Sequence, residues 1–192
     1  IGKNYKEAFQ KAIRSLEIGR YGLGFAKDFH EKSKEELLHM LHTATSERQF
    51  IMYEAIRKGA TNAELFELTK IKDYFLNQMR ELVEEEEKLL TYKGQVPPAE
   101  ILTQAKKDGF ADRYLSQLLG VPEADIRSAR TAIGVTESWE GVHVSGTKDR
   151  AYYYSTYNAP DKNPVSTDKQ KIMILGGGPN RIGQGIEFDY CC

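Results

Sequence analysis

The chain has 192 residues, 40% hydrophobic and 29% charged, which is ordinary for a soluble globular protein with one sizeable core or two small ones. Its net charge of −1 gives no reason to expect a nucleic acid or an acidic membrane surface as a partner. No apolar run approaches the roughly 18 residues that span a bilayer, and no signal-peptide pattern follows Ile1. The two cysteines are adjacent, which excludes a disulfide framework. We therefore expect a cytoplasmic, reducing location and no membrane partner.

The first predicted helix covers residues 4–17, with Asn4 as its N-cap. Four apolar residues recur in it at helical spacing: Tyr5, Phe9, Ile13 and Leu16. Such a stripe suits core packing or a partner-binding face, and core packing is the commoner use. Three glycines between positions 19 and 24 then indicate a loop.

Three capping boxes follow, each a Ser or Thr with Glu or Gln three residues later: Ser33 with Glu36, Ser46 with Gln49, and Thr61 with Glu64. In such a box the two side chains satisfy two otherwise unpaired amides at the start of a helix. Each box precedes apolar residues at helical spacing, and Gly59 suits the left-handed position that ends the second helix. Three helix starts so close together indicate a compact all-α array.

The longest predicted helix covers residues 71–90, with five apolar residues on one face: Ile71, Phe75, Met79, Leu82 and Val83. Two features nearby raise the question of a metal site, namely the run Glu84–Glu87 and the pair His39 and His42 at i, i+3. No second pair of ligands with matching spacing accompanies them. We interpret the carboxylates as a solvated helix face and the histidines as surface residues or as histidines with satisfied hydrogen bonds, and we predict no metal site.

Residues 97–134 predict three short amphipathic helices, Ala99–Asp108, Ala111–Leu119 and Pro122–Ile133, separated by glycines. A leucine pair, a glycine and a new helix start also resemble a DNA-binding helix-turn-helix, so residues 101–134 carry an alternative hypothesis. The charges oppose it, because five Lys or Arg against four Asp or Glu leave a net charge of only +1 in this segment.

Helical periodicity fades from Thr136 onward. Four tyrosines between positions 152 and 157 lie among small and polar residues. They could stack on bases or sugars, but without a basic groove a packed, extended linker is the better interpretation. Pro160 and Pro164 indicate a boundary, after which a new domain is expected to begin near Lys169.

The last stretch predicts the first strand and loop of a βαβ unit. Ile172–Leu175 is a short apolar run, as in a strand buried on both faces of a parallel sheet. The following Gly176–Gly178 suits a tight turn. It is neither a dinucleotide fingerprint, because Arg181 occupies the third glycine position, nor a phosphate loop, which would need Lys then Ser or Thr after Gly183. The chain stops before the unit closes, so we expect it to be part of something longer.

The continuous string from Gly176 to Cys192, GGGPNRIGQGIEFDYCC, resembles the start of the second synthetase half of the carbamoyl phosphate synthetase large chain. Looser resemblance to the same family extends upstream through Tyr152–Tyr157 and Phe110–Asp112 to Phe9–Ala12. One departure is the segment Val142–Gly146, where family members usually carry a Val-Asp-Thr-x-Ala-x-Glu-Phe pattern, which leaves the packing of the linker open.

The resemblance implies a mainly α fold: a multi-helix oligomerisation domain, an extended linker, and the first β-strand and Gly-rich loop of an incomplete α/β (pre-ATP-grasp) domain. It divides the chain into a helical tail (residues 1–14), the oligomerisation domain with its linker (15–163) and the start of the second half (164–192). It implies a parent ligase that makes carbamoyl phosphate from bicarbonate, glutamine-derived ammonia and two ATP, for arginine or pyrimidine synthesis. ATP and Mg²⁺ or Mn²⁺ would be held outside this segment, which is expected to have no cofactor and no activity of its own.

The implied partners are a further copy of the chain and the small glutaminase chain of the parent enzyme. Candidates for an apolar self-association patch are Phe50, Tyr53, Phe66 and Tyr74. No catalytic, cofactor-binding or metal-binding residue is predicted. By resemblance, Gly183, Gly185 and Glu187 line the passage that carries carbamate between the halves. The alternative is that these glycines only permit a tight turn between strand and helix.

Overall fold

The computed structural model describes residues 1–143, 145–146, 152–162 and 166–173. Eight α-helices and two short strands are found in this part of the chain. Their bounds are α1 Tyr5–Ser15, α2 Lys34–Met40, α3 Arg48–Arg57, α4 Asn62–Thr69, α5 Asp73–Leu90, α6 Ala99–Lys107, α7 Asp112–Leu119, α8 Glu123–Ala132, β1 Ser138–Gly141 and β2 Tyr153–Thr156. The predicted mainly α fold is confirmed.

The core is built around α3 and α5. Helix α5 packs against α1, α3, α4 and α7, and it buries one apolar face that includes Met79, Leu82 and Val83. Helix α3 is buried on nearly all sides, from Phe50 to Ile56. A helix surrounded in this way has no solvated face, so its polar residues must find partners inside the protein.

Two of the three predicted capping boxes are confirmed. The Ser33 amide donates to Glu36 Oε2 at 2.7 Å, and the Thr61 amide donates to Glu64 Oε2 at the same distance. The box at Ser46 is wrong, because α3 begins at Arg48 without a side-chain cap. The Arg48 amide donates to Thr45 O in the preceding turn, and the Glu47 carboxylate pairs with Arg20 and Lys27.

The predicted helix over residues 71–90 begins two residues later than expected, at Asp73. Lys70 adopts a left-handed conformation with φ of 58°, which ends α4 and separates it from α5. Gly59 has φ of 88° and ends α3 in the predicted manner. Among the described residues, no helix is both long and apolar enough to cross a membrane.

The linker contains two paired strands where only an extended chain was predicted. Strand β1 pairs antiparallel with β2, so that Ser138 lies opposite Thr156 and Trp139 lies opposite Ser155. The segment after β2 stays close, because the Lys162 amide donates to Trp139 O at 3.1 Å. Of the predicted terminal strand, only Ile172 and Met173 are described, and both are highly exposed. The glycine-rich loop that follows lies outside the described residues.

Candidate functional site: two buried charge clusters

The first cluster surrounds Glu86, which is fully buried on α5. Tyr53 Oη and Tyr114 Oη lie 2.9 and 2.7 Å from Glu86 Oε2, and the guanidinium of Arg57 pairs with Oε1. Arg57 Nε also donates to the buried Glu54 at 3.0 Å. The cluster therefore joins α3, α5 and α7 through charge-assisted hydrogen bonds in the middle of the core.

The same cluster also binds the loop that joins α1 to α2, which contains Gly19, Gly22 and Gly24. The Gly24 amide donates to Tyr114 Oη at 3.0 Å, and the Phe25 amide donates to Glu54 Oε1 at 2.8 Å. A Cβ at Gly24 would lie 2.1 Å from Glu86 Oε1, so any other residue at this position would force the Glu86 carboxylate or the loop backbone to shift. The loop backbone is thus packed directly against the charge cluster.

The sequence interpretation of Glu84–Glu87 as a solvated face is wrong for Glu86. The signal was present, because Glu86 continues the spacing of the buried face at Met79, Leu82, Val83 and Leu89. Burial raises the pKa of the Glu86 carboxyl, with Arg57 and the tyrosine hydroxyls opposing that rise. Burial likewise raises the pKa of Tyr53 and Tyr114 well above the usual tyrosine value, so both hydroxyls stay protonated and act as donors.

The second cluster surrounds Asp112 at the start of α7. Lys106 Nζ lies 2.7 Å from Asp112 Oδ1, and Arg130 Nε lies 2.8 Å from Oδ2, so this carboxylate joins α6, α7 and α8. The ring of Tyr157 faces both cations, with its centroid 4.8 Å from Lys106 Nζ. Burial would raise the pKa of Asp112, but Lys106 and Arg130 outweigh it and hold that pKa below its usual range.

This cluster bears on the helix-turn-helix alternative for residues 101–134. Lys106 and Arg130 are two of the five basic residues in that segment, and both are buried against Asp112. Arg113 stacks on Tyr21 with 4.1 Å between guanidinium and ring, and Arg127 pairs with Glu123. Four of the five basic side chains therefore have partners within the protein, and nothing supports the nucleic-acid hypothesis.

A cavity of about 590 Å³ lies beside the first cluster. It is bounded by the loop that joins α1 to α2, by the end of α5 and by α7. Its described lining includes the cations Arg20, Lys27 and Lys93, together with Tyr114. Arg20 and Lys27 are already paired with Glu47 at 3.0 and 3.2 Å. Two of the three cations of the lining therefore share one fixed partner within the protein.

The sequence singled out the residues of a possible passage and a pair of histidines. The passage residues Gly183, Gly185 and Glu187 lie outside the described residues. His39 and His42 are exposed, with ring centroids 5.8 Å apart. Within the described ranges, no group of three or more His, Cys, Asp or Glu could hold a metal ion.

The predicted association patch is wrong in part. Phe50 and Tyr53 are buried in α3, each with 1% of its surface exposed, because this helix passes through the middle of the core. Phe66 is partly buried. Tyr74 is 59% exposed and contacts the rings of Tyr5 and Phe75.

Comparison with known protein families matches residues 1–134 to the oligomerisation domain of the carbamoyl-phosphate synthetase large chain. The chain belongs to this family. Residues 168–192 match a second family, the carbamoyl phosphate synthase preATP-grasp domain. The resemblance that the sequence motifs indicated is therefore confirmed.

Relatives of this oligomerisation domain are carbamoyl phosphate synthase large chains, which are ligases. The large chains of Pseudomonas aeruginosa and Archaeoglobus fulgidus are 42% and 41% identical to this chain over its whole length. The large chain of Rhodopirellula baltica is 39% identical over the same extent. The chain spans about 18% of the length of the first of these relatives.

Proposed function

We propose that this chain is the self-associating segment of a carbamoyl phosphate synthase large chain, with the helical domain forming the contact between copies. The observation that carries this proposal is the family match over residues 1–134, which covers all eight described helices. The buried charge clusters support a structural role, because the carboxylates of Glu86 and Asp112 are satisfied by fixed neighbouring side chains.

The parent enzyme is proposed to be a cytoplasmic ligase that makes carbamoyl phosphate from bicarbonate, ammonia and two ATP, for arginine or pyrimidine synthesis. A small glutaminase chain would supply the ammonia. ATP and Mg²⁺ or Mn²⁺ would bind in the synthetase halves, outside this segment, which is inactive alone. The support is the identity of about 40% with large chains over the full length of this chain.

Within that enzyme we propose three parts. Residues 1–14 form a helical tail that leaves the first synthetase half, and residues 15–163 form the oligomerisation domain and its linker. Residues 164–192 begin the second half, in which Gly183, Gly185 and Glu187 line the carbamate passage. The sequence resemblance of the last stretch supports this assignment.

Sedimentation velocity over a hundredfold range of protein concentration tests the proposed self-association. We expect the sedimentation coefficient to rise with concentration as dimers or larger species form. A strict monomer at several hundred micromolar protein would contradict the proposal.

A further inference from the structure

Glu7 is a buried carboxylate on α1 that receives hydrogen bonds from the far end of the chain. Thr156 Oγ1 and Asn158 Nδ2 each donate to Glu7 Oε2 at 3.1 Å. The Lys3 amide, just before α1, donates to the same oxygen at 2.8 Å. Glu7 and Thr156 are each 1% exposed, so water does not replace these donors.

The residues around Thr156 make further polar contacts with the helices. We call residues 153–158 the strap. Lys11 Nζ lies 3.2 Å from Glu7 Oε1 and donates to the carbonyl oxygen of Ser155. Asn158 Nδ2 donates to Lys107 O at 2.7 Å, and the Tyr157 ring faces Lys106 and Arg130. Every residue from Ser155 to Asn158 thus contacts α1 or the α6–α8 region.

Apolar burial contributes little to this contact. Tyr153 on the strap is 38% exposed, and Trp139, which pairs with the strap from β1, is 43% exposed. By contrast, the helices bury a continuous apolar cluster of their own. The strap is therefore attached mainly by hydrogen bonds around Glu7 and by the contact of the Tyr157 ring with Lys106 and Arg130. The apolar cluster of the helices contains no strap residue, so the helical core does not depend on it.

We propose that the face formed by Glu7, Lys11, Lys106 and Arg130 is a docking site for the strap, with Glu7 as the positioning residue that fastens it. Docking fixes the point at which the chain leaves the helical domain toward the preATP-grasp segment that begins at residue 168. Any effect of this exit point on the two synthetase halves rests on the proposed function, whereas the docking of the strap on the helices does not.

The charge state of Glu7 agrees with this role. Burial alone would raise its pKa, but the donors at Lys3, Thr156 and Asn158 and the charge of Lys11 outweigh that effect and lower it. Glu7 is therefore ionised at neutral pH, the state that accepts these hydrogen bonds most strongly.

Strap variants of the full 192-residue chain test the proposal. The double variant Thr156→Val, Asn158→Ala removes both side-chain donors to Glu7 while leaving α1 unchanged. We expect amide hydrogen exchange in residues 153–158 to accelerate at least about tenfold, because only the local contact is lost. Emission from Trp139, the single tryptophan, should shift to longer wavelength. The helical circular dichroism midpoint should move by less than about 3 °C.

A matched control is Thr69→Val, which removes the hydroxyl of another buried threonine on α4, where Oγ1 donates to Leu65 O. This control should leave exchange in the strap and Trp139 emission unchanged. Glu7→Gln provides a second test from the other side of the contact and should produce the same local acceleration as the strap variant.

Two outcomes would overturn the proposal: unchanged exchange in the strap of the double variant, or equal acceleration in the strap and the core helices. Sedimentation of the same samples separates this result from the proposed self-association. If the unmodified chain is monomeric, the proposed function fails, but the exchange data still decide whether Glu7 fastens the strap.

Discussion

Glu86 places a carboxylate where the apolar face of α5 meets α3 and α7. Its desolvation is costly, and Arg57, Tyr53 and Tyr114 offset that cost through direct contacts. Pairs of this kind depend on both members, because a lone partner remains buried without its counter-charge. In the run of four glutamates, Glu86 is thus the one that is buried and bound to partners on α3 and α7.

Replacing Glu86 with alanine should lower the free energy of unfolding by about 3–5 kcal/mol, since Arg57 and two tyrosine hydroxyls lose their shared acceptor. Urea unfolding followed by circular dichroism measures the change. Glu84→Ala is the matched control, because Glu84 is exposed on the same helix and should change stability by less than about 0.5 kcal/mol. Equal losses in the two variants would show that the Glu86 contacts contribute nothing.

Asp112 should give the domain a dependence on acid pH. Its folded pKa lies below the unfolded value of about 3.9, so its contribution to stability is complete above about pH 5. That contribution is lost as the pH falls through the folded pKa. Asp112→Asn should be less stable than the unmodified chain at pH 7, and the difference should shrink as the pH falls from about 5 through the folded pKa. Parallel curves of stability against pH would contradict this assignment.

At the scale of elements, the two confirmed capping boxes use short-range chemistry that a sequence displays directly. Thr61 and Glu64 close the start of α4, and Ser33 and Glu36 close the start of α2. Ser46 and Gln49 have the same spacing but form no box, because the N-cap position of α3 is Glu47, one residue later than a box at Ser46 requires. The spacing is necessary for a box, and the backbone before the helix decides whether it forms.

Thr61→Ala should therefore destabilise the domain by about 1 kcal/mol, the usual cost of losing an N-cap side chain. Ser46→Ala should change the unfolding free energy by less than about 0.5 kcal/mol. Thermal unfolding of both variants beside the unmodified chain makes the comparison. A loss at Ser46 as large as that at Thr61 would mean that the hydroxyl of Ser46 caps α3 in solution.

The positions of the helices could be predicted because apolar spacing and capping are local in sequence. The charge clusters could not, since Asp112 meets Arg130 and Glu86 meets Tyr114 only after the helices pack. The pairing of β1 with β2, which joins Ser138 to Thr156, was also missed, although Ser145-Gly146 between the two strands is a turn signal. The passage residues Gly183, Gly185 and Glu187 stay predictions.

At the scale of the whole molecule, the proposed carbamate passage can be tested in the parent enzyme. If Gly185 lines a passage, Gly185→Leu should leave both partial ATPase reactions largely intact while carbamoyl phosphate formation falls. If Gly185 only permits a turn, backbone strain of about 1–3 kcal/mol should lower stability and every activity together. Partial and overall assays on one purified variant, with its melting temperature, distinguish the two. Parallel loss of all activities would contradict the passage assignment.

The contact between Glu7 and Thr156 spans 149 positions of the chain. During synthesis at about 5–20 residues per second, α1 leaves the ribosome roughly 7–30 s before the strap that covers its polar face. The side chains of Gln10 and Arg14 on α1 also lack their acceptors at first, because those acceptors are the carbonyl oxygens of Asp108 and Gly109. Helix α1 therefore reaches its final surroundings only after α6 and the strap have been made, and the Glu7 carboxylate stays in water until the linker has been translated.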